Sequence, residues 1–202
     1  MKSNFFYSIA ILEGAALMAT EVISAKIMAP YYGSSLLVWT SVFVATLGGL
    51  ATGYFLGGKL ASGKQVHFKL FVLLLSGSVY LGLMPFISTG IMEATLNMSV
   101  ELGSLISVMT FLFPILLAFG TVSPLLIQLL TGADQKAGES AGIIYTISTL
   151  GGIVSTVLFG FYLIPQMGIK SAVMISCAMS LLATVFAFYA YQKNKSTSLT
   201  NA

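Results

Sequence analysis

Leu12–Lys26, LEGAALMATEVISAK, lies inside an apolar run that opens at Phe5 and closes at Pro30. At ~1.5 Å per residue the run is long enough to cross a bilayer, yet it holds two carboxylates and an ammonium. With the helix centre near Leu17, Glu13 and Glu21 sit roughly 6 Å to either side of mid-membrane and Lys26 about 13 Å out, where it can snorkel to the interface. A charge at the centre costs at least ~2.5 kcal/mol on the most lenient insertion scale, so such residues face protein or water rather than lipid. At 100° per residue, Glu13, Leu17, Thr20, Ser24 and, at its edge, Glu21 share one broad face, which is expected to point inward.

The whole chain repeats that composition. Of its 202 residues, 57% are hydrophobic and 7% charged, against about 25% charged in ordinary soluble domains. Several apolar runs of membrane-spanning length indicate an all-α integral membrane protein, and no hydrophilic segment is long enough to fold alone. The net charge of +3 comes from lysines scattered over loop ends, which excludes a nucleic-acid partner. Cys177 is the single cysteine, so no intrachain disulfide forms. The first apolar run, interrupted by Glu13 and Glu21 and longer than a signal-peptide core, reads as retained.

Taken in order, the chain reads as six spans in a single domain, 1–192, followed by a polar, disordered tail, 193–202. The first helix, about 5–29, is expected to end at Pro30, and Tyr31 to Ser35 form an aromatic turn suited to the membrane interface. The second span, about 36–57, carries Ala45, Gly49, Gly53 and Gly57 at four-residue spacing, a groove for close helix approach whose partner is this chain or a second copy. A loop, 58–69, holds Lys59, Lys64, His67 and Lys69, with His67 read as solvated. The third span covers about 70–92, with Gly77, Gly82 and Pro85 as bend points, and Glu93 and Glu101 lie in the polar connection that follows. The fourth, about 103–130, is broken by Pro114, Gly120 and Pro124, a gate or a fixed kink, with Thr121 and Ser123 placed to re-satisfy freed backbone groups. The loop 131–140 holds Asp134, Lys136 and Glu139 as solvated charges. The fifth span, about 141–164, aligns Gly142, Tyr145, Thr149, Gly152, Thr156 and Gly160, and the sixth runs about 169–191.

Lysine placement sets the expected orientation. With both termini in the cytoplasm of a cell (inner) membrane, Lys2, Lys59, Lys64, Lys69, Lys136, Lys193 and Lys195 lie inside and only Lys26 and Lys170 outside. Thr46-Leu47-Gly48-Gly49 recurs as Thr149-Leu150-Gly151-Gly152, in spans of opposite direction. The same offset pairs Gly57 with Gly160. This suggests two inverted three-helix repeats, half of a major-facilitator-like fold, with a site where the repeats meet.

Glu13 and Glu21, with Thr20, Ser24, Tyr145 and Thr149, are the candidate cation- or proton-binding set, since intramembrane carboxylates commonly serve those ends. The alternative makes both carboxylates structural, hydrogen-bonded to Tyr145, Thr149 or a lysine. Tyr31, Tyr32 and Trp39 are either cation-binding aromatic faces or an interfacial belt. No His/Cys cluster has metal-ligand spacing, no nucleophile–base motif marks a catalytic centre, and no cofactor is expected.

Residues 12–61, LEGAALMATEVISAKIMAPYYGSSLLVWTSVFVATLGGLATGYFLGGKLA, resemble the opening of the membrane part of spermidine synthase-like proteins. These join a major-facilitator-like helical region to an aminopropyltransferase domain. The resemblance is carried by Glu21, Ala29, Pro30, Tyr32, Gly33, Ser34, Ser35, Val38 and Trp39, and then by Gly57-Gly58-Lys59-Leu60-Ala61. Ser123–Thr131 (SPLLIQLLT) and Tyr145–Gly168 are similar to later family segments. The family's soluble domain, with its Gly-rich nucleotide loop and the acidic residues that hold polyamine and decarboxylated S-adenosylmethionine, has no counterpart here. The resemblance therefore implies a stand-alone membrane module linked to polyamines by association, without synthase activity.

Two functional expectations follow. The first is a small carrier for polyamines or other small organic cations, a homodimer enclosing a path between two six-helix copies, with Glu13 and Glu21 at its cation or proton sites. The second is a non-transporting membrane anchor or accessory subunit that recruits a soluble cytoplasmic enzyme, such as an aminopropyltransferase, through the 58–69 and 131–140 loops.

Overall fold

The computed structural model describes residues 2–131 and 137–200; Asp134 and Lys136, read above as loop charges, lie outside them. The chain is all-helical, with no strand among the described residues. In order the helices are α1 (Lys2–Tyr32), α2 (Leu36–Ala61), α3 (Val66–Thr95), α4 (Val100–Phe111), α5 (Phe113–Gly120), α6 (Val122–Thr131) and α7 (Ala137–Leu158). A π-helical turn, Phe159–Leu163, then leads into α8 (Ile164–Thr200). Five stretches are long and apolar enough to cross a membrane: Asn4–Tyr32, Leu36–Ala61, Val66–Thr95, Phe113–Thr131 and the 60-residue Ala137–Ser196. The last of these contains a non-helical residue, Gly168 (φ 77°, ψ 171°), at which α8 breaks direction.

α1 is the interior helix. It touches every other element, and 61% of its most apolar window is buried, against 39% for α2 and 33% for α3. The expected single inward face of α1 is therefore not what forms. Glu13 faces Ser148 of α7, Glu21 faces Thr46 of α2, and Thr20 meets Ser176 of α8 at 3.3 Å. α1 is covered on most of its circumference, leaving exposed only a stripe that includes Ile11 and Lys26, and so has more than one inward face. Its polar residues are distributed singly, each to a different neighbour.

Several boundaries differ from the expected ones for identifiable reasons. Pro30 does not end α1, because near a C-terminus its missing N–H removes only one intrahelical bond. The helix stops at Gly33, whose left-handed φ of 78° and amide bond to the Ala29 carbonyl (3.0 Å) make a glycine C-cap. The 58–69 loop contracts to residues 62–65, and the Lys69 ammonium reaches back to the Leu60 carbonyl at 3.0 Å, satisfying an end of α2. His67 is half-buried beside Phe6 (ring centroids 6.2 Å) rather than solvated. The expected disordered tail is helical as far as Thr200; no glycine or proline after Gly168 interrupts it. Gly77, Gly82 and Pro85 all lie within the uninterrupted α3.

The interrupted segment α4–α6 breaks at Leu112 and at Thr121. Pro114 cannot donate to the Thr110 carbonyl four residues back. The Tyr80 hydroxyl of α3 donates to it instead, at 2.8 Å. At the second break the Thr121 hydroxyl donates to the Ala118 carbonyl at 2.6 Å, the role foreseen for it. Tyr32, expected at the interface, is 8% exposed, and its hydroxyl bonds Thr95 and Ser107 (3.0 Å to the latter). It ties α1 to α3 and α4.

The small-residue stripes set helix spacing. Ala45, Gly49, Gly53 and Gly57 are buried, and the three glycines lie against Leu116, Gly120 and Thr121 of the interrupted segment. Their partner is thus within the chain. Gly151 and Gly152 lie against Ile11 and Met18 of α1. Gly160, assigned to the same stripe, packs on nothing within 4 Å. It belongs to the π-helical turn, where the changed residues per turn carry it off the α7 face.

Candidate functional site

Gly14 brings α1 and α7 together. A methyl at Gly14 would collide with the Ser148 backbone carbonyl, so the two backbones touch at this crossing. The neighbouring Glu13 is 2% exposed, and Ser148 Oγ donates to its Oε2 at 3.3 Å. Beside the pair a cleft of about 350 Å³ opens between α1, α2 and α7. Gly14, Leu17 and Met18 line it from α1, Leu50 and Tyr54 from α2. From α7, Ser148, Thr149 and Thr156 supply hydroxyls, with Ile153 and Val157 beside them. Tyr145 stands edge-on to Tyr54, with ring centroids 6.1 Å apart and planes at 75°, and Glu13 lies within electrostatic range of Tyr54. The volume is at the small end of the ~300–1,000 Å³ usual for ligand sites. Hydroxyls and the Tyr54 ring in an apolar recess, with the Glu13 carboxyl one hydrogen bond away through Ser148, can hold a proton or a small ammonium.

The candidate residues thus divide. Glu13, Tyr145 and Thr149 gather at the cleft. Glu21 lies eight residues on, about 12 Å along the helix, at 7% exposure, beside Thr46, whose hydroxyl donates to the Val42 carbonyl at 2.9 Å. Thr20 and Ser24 are buried among backbone carbonyls: Thr20 Oγ1 donates to the Ala16 oxygen, and Ser24 Oγ to the Thr20 oxygen, each at 2.7 Å. Neither lines the cleft. The aromatics expected to receive a cation lie elsewhere, since Tyr32 is 19 residues, about 28 Å, from Glu13. Tyr31 stacks beside Tyr32, and Trp39 beside Phe43 at 5.7 Å. Pro114, Gly120 and Pro124 flank the breaks in α4–α6 and do not line the cleft.

Tyr54 and Ser148 are the cleft residues that sequence reasoning missed. Tyr54 carries a hydroxyl on a largely apolar helix, directly after Gly53 of the packing stripe. Ser148 directly precedes Thr149. Both positions carried a usable signal, the hydroxyl next to a residue already assigned to a packing face. Among the described residues no group of three or more His, Cys, Asp or Glu side chains is placed to hold a metal. Comparison of the chain with protein-family models, curated proteins and solved structures finds no match.

Proposed function

We propose that this chain is a small membrane carrier for organic cations, with Glu13 at its cation or proton site. One observation carries the reading: a carboxyl buried at 2% exposure accepts a hydrogen bond from Ser148, a lining residue of a cleft whose other polar groups are the hydroxyls of Thr149, Thr156 and Tyr54. An acid there is costly in a membrane, which favours a functional use for it. Of the two carboxylates, the geometry favours Glu13, whose partner Ser148 lines the cleft, over Glu21, whose partner Thr46 does not.

The architecture we propose has six spans, counting the 60-residue Ala137–Ser196 stretch as two helices that turn at Gly168, with both termini cytoplasmic on the lysine distribution. Two inverted three-helix repeats are supported by contacts. The offset that carries Gly49 onto Gly152 also carries Gly14 onto Leu117. Gly49 abuts Leu117 in one pair, and Gly152 abuts Gly14 in the other. Half of a facilitator leaves its cleft open along one side, where Thr149 and Tyr145 remain exposed. A second copy would enclose it. A polyamine substrate is supported by the spermidine synthase-like resemblance and by a recess of a size to take one ammonium with its methylene chain.

The test is uptake of labelled putrescine and spermidine into proteoliposomes, with and without a pH gradient, comparing the parent protein with Glu13→Gln and Glu21→Gln. Saturable uptake lost in Glu13→Gln and retained in Glu21→Gln is the expected result. Absence of uptake of either amine by well-folded protein would count against the carrier and for the membrane-anchor reading.

A further inference from the structure

At the end of the bundle where α1 begins, a second pocket stands apart from the Glu13 cleft. It lies between the α2–α3 turn and the last turns of α8, encloses about 250 Å³, and is lined by Gln65, His67, Phe68, Tyr191, Asn194 and Lys195. Gln65, in the left-handed region at φ 61°, turns the chain into α3. Phe68 meets Tyr191 with ring centroids 5.5 Å apart, and one turn deeper Phe71 meets Phe188 at 5.2 Å. Aromatic packing therefore fixes α8 against α3 and forms the floor. The rim carries an ammonium, an imidazole, two carboxamides and a phenol. Among the described residues no carboxylate lines it, and exposed Lys59, Lys64 and Lys193 lie at the same end.

Such a rim is matched to an anion with several acceptor oxygens. The flank is apolar: Phe68 is 41% and Phe188 42% exposed. A free phosphate has no use for that flank, whereas a lipid does, and basic pockets between helices at a membrane face are suited to phosphate headgroups. We propose that this pocket binds an anionic phospholipid, its phosphate among Lys195, His67 and the Gln65 and Asn194 amides and its acyl chains along Phe68 and Phe188. The proposal depends on membrane integration and not on transport, so it and the carrier reading fail independently.

The experiment is native mass spectrometry of the purified protein titrated with phosphatidylglycerol or with phosphatidylcholine of the same acyl chains. Lys195→Gln and the His67→Gln/Lys195→Gln double variant are compared with Lys170→Gln, which removes one charge at the other end of α8. Preferential retention of phosphatidylglycerol is expected, weakened about fivefold by Lys195→Gln, further in the double variant, and unchanged in Lys170→Gln. Equal retention of the two lipids would overturn the proposal. So would equal effects of Lys195→Gln and Lys170→Gln, which would mark diffuse attraction. Displacement of the lipid by equimolar inorganic phosphate would overturn the lipid assignment in favour of a soluble phosphate ligand.

Discussion

Gly53→Ala tests how α2 meets the interrupted helix. A methyl there would lie 2.6 Å from the Leu117 carbonyl oxygen and 2.9 Å from Gly120 Cα. Both neighbours are backbone, so no rotamer change clears them, and the segments must part by roughly 0.5–0.8 Å to reach ordinary contact. A radial gap of that size forfeits about a quarter to a half of each contact's attraction along the seam, and overpacking typically costs about 1–3 kcal/mol. Gly58→Ala is the matched reference: it lies on the same helix with nothing within 4 Å. Both variants gain the same ~1 kcal/mol of helix propensity, so their difference isolates the clash. Unfolding in mixed micelles, followed by circular dichroism, should place Gly53→Ala about 1–3 kcal/mol below Gly58→Ala, roughly 5- to 150-fold in the unfolding constant. Equal stability of the two variants would refute the close approach of α2 to Leu117 and Gly120.

Tyr80→Phe removes the donor to the Thr110 carbonyl that Pro114 leaves unpaired. A loss of about 0.5–2 kcal/mol is expected in the same unfolding assay, with Tyr162→Phe, at an exposed tyrosine, as the neutral comparison. Ser148→Ala deprives Glu13 of its hydroxyl donor and should weaken half-saturation of uptake about 3- to 10-fold in proteoliposomes while leaving the fold intact. Glu101, exposed at the start of α4, is held below its ordinary 4.5 by its own backbone amide and by Ser99. A lowered folded-state value adds stability above that ordinary value, and the contribution is lost as pH falls through the lower one. The melting-temperature gap between the parent protein and Glu101→Gln should therefore close as pH is taken from 5 towards 3.

Which parts of this fold were legible in the sequence depends on whether the cause was local. Membrane-length apolar runs and the glycine seam of α2 follow from composition and spacing alone, and both are present. The burial of Glu13 followed from its place in an apolar run. Its partner did not, because Ser148 reaches it only through the α1–α7 crossing at Gly14, which no periodicity records. Glu21, Thr20 and Ser24 were grouped with Glu13 by the helical wheel. A wheel assigns one inward face, and α1 is covered on most of its circumference, so its polar residues scatter to α2, α7 and α8. Tyr32 misled for a related reason: an aromatic beside a turn resembles an interfacial anchor until Thr95 and Ser107 are known to bond its hydroxyl. Pro114 marked the break correctly, but Tyr80, which makes the break tolerable, lies on another helix.

The proposed repeat has a consequence for where chemistry can occur. The offset that carries Gly49 onto Gly152 carries Glu13 onto Leu116 and Glu21 onto Pro124. Both α1 and the interrupted α4–α6 segment meet a glycine-bearing helix of the other half, yet only α1 carries buried acids, Glu101 of α4 being exposed. Leu116 is fully buried under Gly49, so the position equivalent to Glu13 is packed solid and opens on no cleft. A framework of paired helix contacts thus supports one polar recess instead of two. In a dimer each copy would bring one such recess, and the two acids would come from equivalent α1 helices. On that reasoning the pairing of halves within the chain serves packing, and the binding of a cation depends on Glu13 and on what closes the open side of its cleft.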